Sequence, residues 1–308
     1  MIERKFTYKR IMGFGIVLAL LLELTSLPFQ KLKENGYDYK NVLNKAGLVA
    51  AEKKDSIDVL FLGDSEAWAT FAPLQFYNEY GFASYNCAFP GQWAYDSLAV
   101  LKKTLQYQNP STVVLEANML FSAPNVLKFN LFQCFPMFHD HGYYKMFGQK
   151  YNPNKSKGAN INSQCNAYIG DTNYMTKKVK KKEFCGKNLE YLNELLSYCK
   201  EKYIQVIMVS SVSALNWTEG KHLGVQAWCD EKDVTYIDYN EPENYDRLSF
   251  DWSKDTRDQG DHVNQSGSGK ICSDFGKILV KKYALPDHRQ DVEYSRWQSL
   301  YNEKYTKG

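Results

Sequence analysis

Short apolar runs that alternate with stretches of helical spacing constrain the fold of this chain more than any other feature. Five such runs occur, at residues 57–62, 83–88, 112–117, 204–210 and 234–238. Helix-like stretches follow them at residues 66–80, 95–108, 183–202, 220–232 and 267–283. Strands joined through helices pair in parallel, and a parallel sheet carries helices on both faces. The sequence therefore predicts an α/β fold, a three-layer sandwich around a mainly parallel five-stranded sheet.

The N-terminus has the pattern of a membrane signal. Residues 1–10 contain four basic side chains, and Ile11–Phe29 is apolar except for a few polar residues and Glu23. A run of this length just reaches the roughly 17 to 25 residues that cross a bilayer. Positive charge on one side predicts a cytoplasmic N-terminus. Residues 1–30 are thus interpreted as an uncleaved signal anchor, a single transmembrane helix with the rest of the chain outside the cytoplasm; a cleaved signal peptide is the alternative.

The rest of the chain divides into segments that differ in composition and in their alternation of strands and helices. We expect a juxtamembrane linker at residues 31–56, a main folded domain at 57–285 and a polar tail at 286–308. Residues 120–182 interrupt the strand and helix alternation and are rich in Phe, Tyr, Asn and Gly. Open α/β sheets carry ligand-contacting insertions at the carboxyl ends of their strands. This insertion is therefore predicted to cap the cleft.

The charge and the cysteine content argue against two classes of function, nucleic-acid binding and structural zinc binding. A net charge of +3 with scattered basic residues gives no reason to expect nucleic-acid binding. Seven cysteines leave at least one unpaired, and no Cys-x-x-Cys pair indicates structural zinc. Cys87 and Cys272 stand in apolar contexts typical of buried thiols, whereas a Cys165–Cys185 disulfide across the insertion remains open. His139–His141 offers alternating ligands, but the irregular, aromatic segment favours surface or cleft polar groups over a metal site, so no cofactor is expected.

Gly63-Asp64-Ser65 directly follows the first predicted strand. A serine at the end of a strand, opening a helix, is exposed at the sheet edge, where backbone N–H groups can stabilise an oxyanion. The same three residues also suit a simple turn and helix N-cap. Their position after the first strand favours a nucleophilic Ser65.

A second polar motif near the other end of the chain provides a base for that serine. Asp258–Asn264 is an Asp-rich loop that carries His262 and precedes the last predicted helix. A serine nucleophile needs a base within hydrogen-bond reach, and the base needs an acceptor for its other ring N–H. The sequence thus predicts His262 as the base, with Asp258 or Asp261 as its acid partner.

Taken together, Gly63-Asp64-Ser65, the stretch Asn86–Gly91, Asn118 and Asp258–His262 resemble the blocks of the SGNH/GDSL hydrolase superfamily in order and spacing. The resemblance implies a flavodoxin-like fold. It also implies an oxyanion hole formed by the backbone N–H of Ser65, the N–H of Gly91 and the amide of Asn118.

One block of the chain departs from the family pattern. The family's last block is Asp-x-x-His, but here the residue three positions before His262 is Gln259. The acid is then Asp258 or Asp261. Asp258 is favoured, because the side chain of an adjacent residue in extended backbone points to the opposite face.

The layout of the chain, with a signal anchor, a linker and Gly-x-Ser-Glu, is similar to membrane-anchored proteins of teichoic-acid D-alanylation and alginate O-acetylation. This implies a serine esterase or O-acyltransferase that acts on acyl esters of cell-envelope or extracellular polysaccharide through an acyl-Ser65 intermediate. A multi-pass membrane acyltransferase would be its partner, and Trp68 and Trp93 are candidate sugar contacts. The alternative is an anchored carbohydrate-binding protein that keeps the fold without turnover.

Overall fold

The computed structural model describes residues 2–34, 40–122, 154–176 and 179–306, with short stretches between 127 and 140. The chain forms two compact units. One consists of Met1–Asn44 with Pro124–Lys150, and the other of Lys45–Ala123 with Tyr151–Gly308.

The larger unit contains the predicted sheet. Its five parallel strands are β1 (Val59–Leu62), β2 (Ser84–Asn86), β3 (Thr112–Glu116), β4 (Gln205–Ser210) and β5 (Thr235–Asp238), in the order β2-β1-β3-β4-β5. In the register of the sheet, Leu62 pairs with Leu115 and Leu115 with Met208. The segments that follow β1, β3 and β4 therefore meet at one edge, and the predicted α/β fold is confirmed.

Eleven helices with assigned bounds accompany the sheet in the described part of the chain. They are α1 (Ile2–Glu34), α2 (Lys40–Ala50), α3 (Ser65–Thr70), α4 (Pro73–Tyr80), α5 (Ala94–Thr104), α6 (Met137–Asp140), α7 (Asn188–Glu201), α8 (Glu219–Lys232), α9 (Pro242–Leu248), α10 (Gln265–Lys282) and α11 (Ser295–Tyr305). Short 3₁₀ turns lie at Ala117–Phe121 and Val292–Tyr294.

Both faces of the sheet are buried. Val59 and Phe61 belong to a core that includes the phenylalanines of α4 and α10, and Phe61 stacks on Phe76 with ring centroids 5.3 Å apart. Leu60 and Leu62 alternate with them along β1 and are also fully buried. Since successive strand residues point to opposite faces, both faces are covered, as in a three-layer sandwich.

The helix predicted over residues 66–80 is two helices. Phe71 and Ala72 are extended between α3 and α4, and α4 restarts with Pro73 in its first turn. Proline has no N–H to continue a helix, but it fits the first helical turn, where N–H groups lack intrahelical partners. The break leaves α3 only one and a half turns long, so Ser65 lies at the start of a short helix.

Within the residues that the structure describes, the segments predicted as linker and tail contain helices of the fold. The linker region contains α2, and the tail packs on α4 through Tyr294 and Trp297. The Tyr294 hydroxyl donates to the carbonyl of Ser56 over 3.2 Å, and His288 stacks on the Tyr294 ring with centroids 4.0 Å apart. The chain after residue 285 therefore completes the larger unit, where the sequence offered no placement.

The smaller unit contains the N-terminal helix. Within α1, the 23 residues Thr7–Phe29 are long and apolar enough to cross a membrane by length and composition. Most of the large apolar side chains in this stretch are exposed. The hydroxyl of Thr25 lies 2.9 Å from the sulfur of Met137 in α6. By length and composition, this helix could be a membrane anchor or a signal sequence.

All seven cysteines are unpaired. Cys87 and Cys272 are buried, as predicted from their apolar neighbours. Cys165 and Cys185 are not joined: the Cys165 thiol lies against the carbonyl of Ser253, and the Cys185 thiol against that of Phe121.

Candidate active site

The turn after β1 places Ser65 at the sheet edge. Gly63 has a φ of +149°, and a Cβ added there would lie 2.6 Å from the Cβ of Glu116 on the neighbouring strand. Only glycine permits this backbone conformation and this close approach. The Asp64 carboxylate then accepts the N–H of Glu66 over 3.2 Å and caps α3. The predicted turn and N-cap are thus both present, and they hold Ser65 in the first turn of the helix.

The hydroxyl of Ser65 is bound by its neighbour in sequence. It donates to Oε2 of Glu66 over 3.1 Å, while Oε1 of Glu66 accepts the side-chain amide of Asn216 over 2.6 Å. Ser65 is partly exposed, whereas Glu66 is 2% exposed. Neither Glu66 nor Asn216 was predicted from the sequence as a site residue. The one sequence feature that could have indicated Glu66 is its position directly after Ser65.

His262 is oriented by Asp258. Its Nδ1 lies 2.7 Å from Oδ2 of Asp258, and its backbone N–H donates to Oδ1 of the same carboxylate over 2.6 Å. The nearer oxygen of Asp261 is 3.4 Å from Nδ1. Asp261 instead accepts the amide of Asn216. Of the two candidate acids, Asp258 therefore has the shorter contact with the ring, and a second contact with the backbone.

Ser65 and His262 meet at the Glu66 carboxylate. Nε2 of His262 is 4.0 Å from Oε2 of Glu66, the oxygen that accepts the Ser65 hydroxyl. This Nε2 is buried and has no hydrogen-bond partner among the described residues. The nucleophile and the base predicted from the sequence thus lie on the same edge of the sheet. The hydroxyl is turned to Glu66 and makes no hydrogen bond with the imidazole.

Asn118, the candidate side-chain donor of the oxyanion hole, follows β3. Its Nδ2 donates to Asp64 over 2.9 Å, and its Oδ1 accepts from Nζ of Lys221 over 2.7 Å. A primary amide has two N–H groups. The bond to Asp64 uses one of them, and the lysine fixes which end of the amide carries the hydrogens.

Gly91 lies in an exposed turn beyond β2, with a φ of +73°. The turn is joined to the nucleophile segment at Gly63. The Gly63 N–H donates to Oε1 of Gln92 over 2.6 Å, and the N–H of Phe89 donates to the Gly63 carbonyl over 3.3 Å. The predicted donor at Gly91 is therefore on a loop that is tied to the residue two before Ser65.

The two candidate sugar contacts differ in their surroundings. Trp68 is partly buried, and its indole N–H donates to the carbonyl of Gly158 over 3.0 Å. Trp93 is 8% exposed and packs between Tyr95 and Tyr191, with ring centroids 5.4 Å and 5.8 Å away. Trp93 thus presents little surface to a ligand. A role in substrate binding remains a prediction for both.

The described part of the insertion supports the loop of the base. Asn166 donates its N–H to Thr256 over 3.0 Å and its amide to Arg257 over 2.7 Å. Gly260, with a φ of +91°, lies directly under the ring of Tyr168, where a Cβ would approach to 2.6 Å. The segment predicted to cap the cleft therefore packs along the loop that carries Asp258 and His262.

Buried carboxyls surround the nucleophile. Burial raises the pKa of Glu116 to about 8, and the negative charge of Glu66 adds to the rise. Burial also raises the pKa of Asp64 well above its usual range, again with a contribution from Glu66. On the other side, burial lowers the pKa of Lys221, and the charge of Lys182 lowers it further. At neutral pH Glu116 therefore retains a proton that an exposed carboxyl would have lost.

The proton on Glu116 makes the stability of the fold pH-dependent. The pKa of Glu116 rises from an ordinary 4.5 to about 8 on folding, so its contribution to stability is complete below pH 4.5 and is lost as the pH rises through 8. Each bound proton contributes a slope of about 1.4 kcal/mol per pH unit in this window. We expect Glu116→Gln to flatten the slope in denaturant unfolding of the full chain in detergent at pH 5, 7 and 9. Exposed Glu201→Gln is the control, and an unchanged slope in the Glu116 variant would contradict the assignment.

The other histidine-containing motif, His139–His141, lies outside the residues whose side chains the structure describes. Within the described residues, one group offers metal-ligand atoms close together: those of Glu66, Asp261 and His262 lie within 4.8 Å of one another. This group coincides with the candidate catalytic residues.

Comparison with known proteins gives fold similarity only. No family model matches the sequence, and no curated protein matches it. Solved structures with related folds include a GDSL-like lipase from Bacteroides thetaiotaomicron, with 13% identity, a TM-score of 0.41, and coverage of 80% of this chain and 98% of that chain. A lipase/acylhydrolase from Enterococcus faecalis has 13% identity and a TM-score of 0.41, with 75% of this chain and 98% of that one covered.

A two-domain esterase active on acetylated mannans, crystallised with mannopentaose, has 13% identity and a TM-score of 0.41 over 82% of this chain and 59% of that chain. Similarities of this size assign no function to the chain. The functional assignment therefore rests on the residues of the site.

Proposed function

We propose that this chain is a membrane-anchored serine esterase or O-acyltransferase of the SGNH type, which acts through an acyl-Ser65 intermediate. The observation that carries the proposal is the placement of His262. Asp258 holds Nδ1 of the ring over 2.7 Å, and the buried Nε2 faces the Ser65–Glu66 pair without a hydrogen-bond partner in the described residues. A base held on one nitrogen and open on the other, beside a serine at the end of a strand, suits nucleophilic catalysis.

In the proposed reaction, the Ser65 hydroxyl turns from Glu66 to Nε2 of His262. His262 takes its proton while Oγ attacks the carbonyl carbon of an ester. The N–H groups of Ser65 and Gly91 and the remaining amide N–H of Asn118 would hold the resulting oxyanion. Collapse returns the proton to the leaving alcohol and leaves the acyl group on Ser65. Water, or a sugar hydroxyl, then accepts the acyl group by the reverse sequence of proton transfers.

The resemblance of the motifs and the N-terminal helix together support an acylated polysaccharide or a teichoic-acid-like polymer as substrate. An uncleaved helix α1 would keep the site close to the membrane, outside the cytoplasm. That location suits transfer from a multi-pass membrane acyltransferase somewhat better than free hydrolysis. Membrane fractionation that leaves the mature protein soluble would argue for a cleaved signal and a plain esterase.

The nucleophile can be tested by covalent labelling. The full chain in detergent should react with a fluorophosphonate probe, and Ser65→Ala should abolish the labelling, because the probe reacts with activated serines. Exposed Ser299→Ala on α11 is a matched control that should label as the wild type does. Labelling that persists in the Ser65 variant would remove Ser65 as the nucleophile.

A non-catalytic carbohydrate-binding protein is the second candidate. The observation in its favour is the Ser65 hydroxyl, which donates to Glu66 and makes no hydrogen bond with His262. An unreactive wild-type chain that still binds acetylated or unmodified polysaccharide would support this second function.

A further inference from the structure

We propose that the same site binds a divalent cation of the zinc class through Glu66, Asp261 and His262, and that the bound cation inhibits the enzyme reversibly. The inhibition part rests on the proposed function. The binding part rests on the side chains alone. The three residues supply one nitrogen and two carboxylate ligands, a donor set that zinc accepts in proteins.

The ligand atoms are already close together. One from each of the three residues lies within 4.8 Å of the others, and Nε2 of His262 is 4.0 Å from Oε2 of Glu66. Bonds of about 2.0 to 2.2 Å to a tetrahedral zinc ion bring ligand atoms to roughly 3.3 Å from one another. The site therefore needs a contraction of about an ångström. Asp261 and His262 belong to the loop around Gly260, so this loop can supply the movement.

The imidazole nitrogen proposed as the base is also able to take a metal ligand bond. Nε2 is buried, faces Glu66 and has no hydrogen-bond partner among the described residues, and the whole side chain is only 12% exposed. Buried polar atoms are normally satisfied, so an unpartnered one calls for a ligand or a water. The other ring nitrogen is bound by Asp258 over 2.7 Å, and metal-ligating histidines commonly donate that N–H to a carboxylate.

Asn216 brings the two carboxylates together before any cation arrives. Its side-chain amide donates both to Oε1 of Glu66, over 2.6 Å, and to Oδ1 of Asp261. Each carboxylate keeps a second oxygen, and it is Oε2 of Glu66 that faces the imidazole. Two negative groups held at one amide favour a cation between them.

Occupation of this site would remove the base. A cation on Nε2 uses the lone pair that must accept the Ser65 proton, and a cation on Oε2 of Glu66 displaces the hydrogen bond from the Ser65 hydroxyl. Zinc binding should therefore suppress turnover, and a chelator should restore it.

Binding can be measured without catalysis in the Ser65→Ala variant. We expect saturating Zn²⁺ to raise the thermal midpoint of this full-length variant in detergent by about 5 °C, an effect of binding to the folded state only. Co²⁺ should give visible absorption of a low-symmetry site with nitrogen and oxygen ligands. Adding Asp261→Asn to this background should abolish both effects. Asp261 is partly exposed, so the substitution is expected to leave the fold intact.

The other histidine and carboxylate cluster provides the control. His222 lies 2.8 Å from Asp238 and 3.8 Å from Glu241. Glu241→Gln in the Ser65→Ala background should leave the shift and the spectrum unchanged. Equal responses of the Asp261 variant and its parent, or binding at free cysteines revealed by a thiolate-to-cobalt band, would overturn the proposed ligands.

Inhibition is tested on the wild type. We expect Zn²⁺ to reduce fluorophosphonate labelling of Ser65 at least tenfold, with recovery after EDTA, and Asp261→Asn to resist the metal. If Zn²⁺ binds the Ser65→Ala variant but the wild type does not react with the fluorophosphonate, the cation site stands. The proposed enzyme function is then rejected. If Zn²⁺ does not change the labelling of the wild type and does not bind the Ser65→Ala variant, the cation site is rejected. The proposed enzyme function then stands.

Discussion

Replacing His262 with alanine should lower kcat for p-nitrophenyl acetate hydrolysis by about 10⁴-fold or more, the size of loss seen when one member of a serine triad is removed. Nε2 of the imidazole has no hydrogen-bond partner among the described residues, and it lies 4.0 Å from the Glu66 oxygen that accepts the Ser65 hydroxyl. Without the ring, the Ser65 hydroxyl keeps Glu66 as the one side-chain acceptor that the structure describes for it. The measurement is steady-state kinetics of the full chain in detergent.

His222→Gln is the control for the loss of a histidine, because His222 is bound to Asp238 at the end of β5. It should keep kcat within a few-fold of the wild type at an unchanged thermal midpoint. If His262→Ala keeps most of its activity, the base is a different group. Glu66, in direct contact with the Ser65 hydroxyl, would then be the first to replace.

Asp258→Asn should lower kcat by about 10³-fold, whereas Asp261→Asn should lower it less than tenfold. Asp258 contacts both Nδ1 and the backbone N–H of His262, so it fixes the tautomer that leaves Nε2 free to accept a proton. An asparagine there turns an amide donor or a neutral oxygen to the ring and cannot stabilise the imidazolium. Asp261 is 3.4 Å from Nδ1 and is bound to Asn216.

The kcat values of the Asp258 and Asp261 variants can be compared directly, because both residues belong to the same loop. Each variant serves as the control for the other, under the same assay and with the same change of charge. A larger loss in Asp261→Asn than in Asp258→Asn would reverse the assignment and make the adjacent residue the acid.

The sheet could be predicted from the sequence because its strands lie in short runs that are rich in apolar residues and bounded by polar or turn residues. All five predicted runs contain the strands of the structure. The boundaries of helices were harder. Residues 66–80 keep a helical spacing of apolar side chains through Pro73, so the pattern concealed the break that the proline causes.

Within the candidate site, the sequence indicated the groups that stand in motifs and missed the groups that stand outside them. Ser65, Asn118 and His262 each follow a strand or precede a helix in a recognisable block. Asn216 and Lys221 do not. They reach the site only because the segment after β4 folds back over the end of β3, and nothing local in the sequence indicates such a contact.

The Glu66 carboxylate is met by Asn216, a residue 150 positions away in the chain. Contacts of such high sequence separation carry a large loop-closure entropy and form late in folding. The environment of the nucleophile thus cannot exist in a nascent or C-terminally shortened chain, which has the serine but neither the asparagine nor the imidazole. Reactivity at Ser65 should therefore emerge only when the whole larger unit has folded, and a partly folded chain should remain inert toward fluorophosphonates and esters alike.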